Sequence, residues 1–130
     1  MFLGAFLGLA AAATVAVAAW LFWVVTILLP QQNPGQIPFW TAVAVAFLAY
    51  GLLTWLYLFG TRPLPLRVLL AVGSFAGVAG GAYAVATQVM RAVRDEDFEG
   101  YLFLMGAILA GHAVLLLAHM FRPRAERARA

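Results

Sequence analysis

Two histidines are the only side chains in the apolar part of this chain whose ordinary titration falls near neutral pH, so any acid–base or ligand chemistry there starts with them. His112 and His119 are seven residues apart. On a helix that interval turns about 700°, placing both rings on nearly one face but about 10.5 Å apart along the axis. One metal ion, with nitrogen ligands at about 2 Å, cannot take both. An axial pair on haem b would need its second ligand from another helix or another chain, and no other histidine is present. A methionine such as Met90 or Met105 is the other axial ligand that the apolar segments offer. Cofactor-binding by His112 and His119, to haem b or a quinone, is therefore an alternative expectation. The leading expectation for His112 is an interhelical hydrogen bond to Thr, Tyr or a backbone carbonyl, worth about 0.6 kcal/mol on average.

Other reactive constellations fail on spacing. Asp95-Glu96-Asp97-Phe98-Glu99-Gly100 opens like a calcium loop, but its twelfth position is Gly106 where a bidentate glutamate belongs. These acids instead suit the positive start of the last helix, as Arg91 and Arg94 suit the negative end of the one before. Ser74 has no intramembrane acid to complete a nucleophilic triad. Cysteine is absent, which removes disulfides, thiolate metal sites and iron–sulfur clusters. No metal site, no resident cofactor and no enzymatic activity are expected.

Four apolar stretches must position these groups: residues 2–29, 39–60, 68–90 and 100–121, each without Asp, Glu, Lys or Arg. Each is long enough to cross about 30 Å of hydrocarbon. Hydrophobic residues are 65% of the chain and charged residues 10%, well short of the roughly 25% charged in soluble domains. The partner implied is the lipid bilayer. The net charge of +3 is carried by arginine alone and is not interleaved with aromatics, so nucleic acid is not expected.

The first stretch lacks a basic leader and is too long for a secretory signal, so it reads as a retained helix. Tight linkers follow at Gln31–Gly35, where Pro34-Gly35 suits a type II turn, and at Thr61–Pro65. They predict an all-α integral membrane fold, a four-helix up-down bundle. Arg62, Arg67, Arg122, Arg124, Arg127 and Arg129 lie on one side, with only Arg91 and Arg94 on the other. That bias puts both termini, including the basic tail 122–130, in the cytoplasm, and the expected location is a bacterial plasma membrane. Aromatics suit both interfaces, with Trp20, Trp23, Phe39, Trp40, Phe98 and Tyr101 outside and Phe2, Trp55, Tyr57 and Phe121 inside.

Small residues recur every fourth position at Gly4, Gly8, Ala12 and Ala16, and again at Gly73, Gly77 and Gly81. Such stripes let helices approach to backbone contact where burial gives no drive. An offset of 69 lays GAFLGLAAAA at 4–13 over GSFAGVAGGA at 73–82. This raises the expectation of two parallel-repeated helical hairpins, with the first and third helices meeting stripe to stripe. With few titratable groups in the spans, the function expected is a structural or accessory subunit, or a homo-oligomer, among other membrane subunits. A small transporter or channel, with a polar cavity at Thr41, Gln88 or His112, is the remaining alternative.

Overall fold

The computed structural model describes residues 2–60, 62–97 and 99–121; the basic tail 122–130, Phe98 and the Phe2 side chain lie outside the described residues. The elements are α1 (Phe2–Trp23), α2 (Leu29–Gln32), α3 (Ile37–Phe59), α4 (Leu64–Val93) and α5 (Gly100–Phe121), with no strand among the described residues. Four helices, Leu3–Gln32, Pro34–Phe59, Leu64–Val93 and Gly100–Phe121, are long and apolar enough to cross a membrane.

The first of these runs beyond residue 29 because it bends its rules at a proline. Pro30 in an α-turn would drive its ring against the carbonyl four residues back. Val24–Leu28 instead opens into a π-helical turn, with Leu29 N–H donating to the Val24 carbonyl. The Thr26 hydroxyl sits against the Phe22 and Trp23 carbonyls at 2.8 and 3.2 Å, serving acceptors that the wider turn leaves short of donors. After Asn33 comes a 3₁₀ turn, Pro34–Gln36, closed by Gln36 N–H donating to the Asn33 carbonyl. The type II turn is thus replaced: it needs positive φ at Gly35, and no glycine here has it.

Between α4 and α5 the chain reverses through a Schellman motif. Glu96 N–H donates to the Arg91 carbonyl and Asp95 N–H to that of Ala92, with Asp95 at φ 60°. The buried Gln88 side chain then accepts the Glu99 N–H at 2.8 Å, while the Glu99 carbonyl takes the first bonds of α5. Arg91 also approaches the Glu99 carboxylate at 3.7 Å. The acidic run therefore works as a helix junction, and among the described residues no group of three or more His, Asp or Glu is placed to hold a metal. Gln88→Ala should cost about 1 kcal/mol, because it strips the acceptor from a junction amide. Faster hydrogen exchange confined to residues 95–100 would report it; unchanged exchange would mean that Gln88 does not cap this turn.

Packing is tightest within each hairpin, α1 on α3 and α4 on α5; α1 also packs on α5, whereas α3 and α4 meet more sparsely. The ring order is therefore sequential. The first and third long helices lie on a diagonal and share next to no backbone contact, so the stripe-to-stripe meeting of α1 and α4 does not occur. Under the offset of 69 burial disagrees over the first span, where buried Leu7 and Ala11 fall on exposed Ala76 and Gly80, and agrees over the second, where buried Ala44 and Phe47 fall on buried Ala113 and Leu116.

The core is layered along the bundle axis. Leu7, Tyr57, Leu66, Leu70 and Leu116 form an apolar cluster toward the end that carries the chain's N-terminal residues. Ala18, Leu21, Ala44, Phe47 and Met105 form a second one farther along. These sets alternate early and late positions of successive helices, so neighbours run in opposite directions. Between the two clusters lies a polar layer.

Candidate functional site

The polar layer is built around His112, which is fully buried on α5. Its Nδ1 lies 2.7 Å from Thr14 Oγ1 on α1 and its Nε2 lies 2.8 Å from Thr54 Oγ1 on α3. Tyr50, one turn before Thr54, stacks on the imidazole at 4.2 Å between centroids and 20° between planes. The Tyr50 hydroxyl in turn meets Ser74 Oγ on α4 at 2.6 Å. Every long helix contributes to one connected set.

The hydrogens in this set can be counted. Thr14 Oγ1 also lies 3.0 Å from the Ala10 carbonyl, and Thr54 Oγ1 lies 2.8 Å from the Tyr50 carbonyl. A hydroxyl has one hydrogen, and a neutral imidazole has one N–H and one bare nitrogen. The ring N–H therefore donates to one threonine, which gives its own hydrogen to the carbonyl one turn back. The other threonine donates to the bare nitrogen. Both ring nitrogens are occupied in either tautomer, so no lone pair remains for a haem iron and no N–H for a quinone carbonyl.

His119 shares the inward face, as the seven-residue spacing requires. It is 6% exposed, and its ring meets Tyr57 edge-on at 5.5 Å. Tyr57 is itself buried instead of lying on the rim, and its other neighbour is Arg62, whose guanidinium carbon sits 4.5 Å from the ring centre. At the other end Trp20 packs near Tyr101 at 6.1 Å, and Phe39 edges onto Trp40 at 5.1 Å. Trp20, Trp40 and Tyr101 join Gln32 and Gln36 around an open cleft of about 410 Å³. An apolar groove of about 390 Å³ beside it runs between α1 and α5, past Ala16 and Ile108.

The small-residue stripes divide between inside and outside. A Cβ on Gly81 would lie 2.6 Å from the Gly106 carbonyl oxygen, and one on Gly77 would lie 3.3 Å from the Ala113 Cβ, so these two seat α4 on α5. Gly73 has open space around it and faces outward. On α1, Gly8 is half-buried and its carbonyl accepts the Trp55 indole N–H at 3.2 Å. Gly4 has nothing within 4 Å, and Ala12 and Ala16 are exposed. The geometry has a simple cause. A strict four-residue row drifts about 40° per step around a helix, so no single neighbour can cover all of it.

Sequence reasoning missed Gly51 and Gly106. A Cβ on Gly51 would come within 2.6 Å of Val15 Cγ2, and one on Gly106 within 2.8 Å of Ala84 Cβ. Both are isolated from other glycines at four-residue spacing, so no stripe marked them. Thr14, Tyr50, Thr54 and Ser74 are hydroxyl residues inside the apolar stretches 2–29, 39–60 and 68–90. Their convergence required matching depths across antiparallel helices. Comparisons with known protein families, with characterised proteins and with solved structures find no match to this chain.

Proposed function

We propose that this chain is a small integral membrane protein acting as a structural or accessory subunit, or as a self-associating bundle, without catalysis of its own. The observation that carries this reading is the saturated polar layer. Its one imidazole spends both nitrogens on threonines of two other helices, at 2.7 and 2.8 Å, so the mid-membrane polar groups act as cross-braces. The outward ridges at Gly4, Ala12, Ala16 and Gly73 add a second support, since small residues on a lipid-facing surface admit a further helix to close range. The arginine bias favours an orientation with both termini in the cytoplasm.

The competing readings gain no comparable support. A haem or quinone anchor at His112 needs a ring nitrogen that the threonines already hold. A transporter needs a polar cavity, yet none of Thr41, Gln88 and His112 lines either cleft described above. Purification in mild detergent should yield a stoichiometric complex or a homo-oligomer, measured by light scattering and native mass spectrometry. A monodisperse monomer, or a Soret band in its absorbance spectrum, would sink the proposal.

A further inference from the structure

Among the described residues Arg62, Arg67 and Arg94 form no ion pair with a carboxylate, and the first two line one cleft of about 450 Å³. The cleft opens beside the sparsely packed α3–α4 side of the ring, at the end that carries the first residues of α1. Its basic rim is built. Arg62 Nε–H donates to the Tyr57 carbonyl at 2.8 Å, and the guanidinium plane is held over the buried Tyr57 ring, which rests in turn on His119. One of five donors is thereby spent, and the remaining fork is oriented before any ligand arrives. Arg67 stands in the first turn of α4, whose N-terminus adds positive potential. Below the rim the wall turns apolar, through Val68, Ala71 and Met120. Leu69 and Val72, next in sequence to Val68 and Ala71 on α4, are exposed apolar residues.

We propose that this cleft seats one anionic phospholipid, its phosphate between Arg62 and Arg67 and the start of an acyl chain along Val68, Ala71 and Met120. Charge selects the headgroup, and the apolar wall selects a lipid over a soluble anion. The volume lies within the roughly 300–1,000 Å³ of small-ligand sites, which suits a headgroup and the first part of a chain. A basic pocket between helices at the cytoplasmic surface is a recognised geometry for such headgroups. The assignment is independent of whether the bundle has a protein partner.

Native mass spectrometry of the full chain, titrated with phosphatidylglycerol or phosphatidylcholine, tests it. The wild type should retain phosphatidylglycerol in preference. Arg67→Gln, which leaves the Tyr57 contact intact, should weaken that binding about fivefold, and Arg62→Gln with Arg67→Gln about thirtyfold. Arg91→Gln with Arg94→Gln removes the same charge elsewhere and should leave the preference unchanged. Three results would overturn the site: no preference for phosphatidylglycerol in the wild type, an equal loss in the Arg91 and Arg94 variant, or full displacement of the lipid by inorganic phosphate. The last would identify a free-anion site without a use for the chain.

Discussion

His112→Ala should destabilise the bundle by about 2–4 kcal/mol, chiefly through the cavity left by a fully buried ring. The hydrogen bonds account for the smaller share, because interhelical bonds in membranes average about 0.6 kcal/mol. Thr14 and Thr54 also keep a fallback: each hydroxyl already lies within reach of the carbonyl one turn back. Neither is orphaned when the imidazole goes, so the penalty of a buried unsatisfied group is avoided. Tyr50 loses its stacking partner but retains Ser74.

This partition makes His112→Phe the informative companion. A phenyl ring refills most of the volume and can still stack on Tyr50, so it should recover most of the loss, leaving a deficit of about 1 kcal/mol. Thr54→Val should then be nearly silent in the His112→Phe background while costing about 0.6 kcal/mol in the wild type. Unfolding in detergent or bicelles, followed by reversible denaturation or steric trapping, gives these values. If Phe is as damaging as Ala to assembly while stability is restored, the imidazole has a ligand role and the cross-brace reading is wrong.

Much of the architecture was legible because lipid makes hydropathy decisive: uncharged stretches long enough to span can be little else than helices. The fourth span was placed at its observed limits. The first was cut short at residue 29 because Pro30 reads as a stop, whereas a π-helical turn absorbs it and the helix continues to Gln32. Similarly, α4 begins at Leu64, ahead of Pro65, since a proline in the first helical turn forfeits no intrahelical bond.

The packing face was legible only in part. On α1 the buried residues are Leu7, Ala11, Thr14, Ala18 and Leu21, alternating steps of four and three as a coiled-coil seam does. Gly4, Gly8, Ala12 and Ala16 keep to fours and wander off that seam. In a span that is apolar all round, no polar face marks the outside, so hydropathy cannot choose between the two rows. The seam's one polar member, Thr14, was the usable signal: a hydroxyl gains little from facing hydrocarbon, and its three- and four-residue neighbours are the buried ones.

The same drift sets the last expectation, a graded response along α4 to one kind of substitution. Gly81 should be the least tolerant position. The atoms that a new Cβ would meet there include the Gly106 carbonyl oxygen at 2.6 Å and the Ala110 amide nitrogen at 2.8 Å, and backbone cannot turn aside. Even Gly81→Ala must push α4 off α5, costing about 1–3 kcal/mol as overpacking, offset in part by alanine's better helix propensity of about 1 kcal/mol. Gly81→Leu should prevent the hairpin from closing and abolish accumulation of folded protein. Gly77 meets side chains instead, Ala113 Cβ at 3.3 Å and Leu109 Cδ1 at 3.4 Å, so alanine there should be tolerated and leucine should be damaging. Gly73, with open space around it, should accept alanine with a gain in stability and leucine with little change in the monomeric fold. Yield and thermal unfolding of the six variants would rank them. Gly73→Leu that folds but no longer self-associates would place that outward ridge in an interface between copies, whereas equal tolerance at Gly73 and Gly81 would mean that α4 does not meet α5 through its glycines.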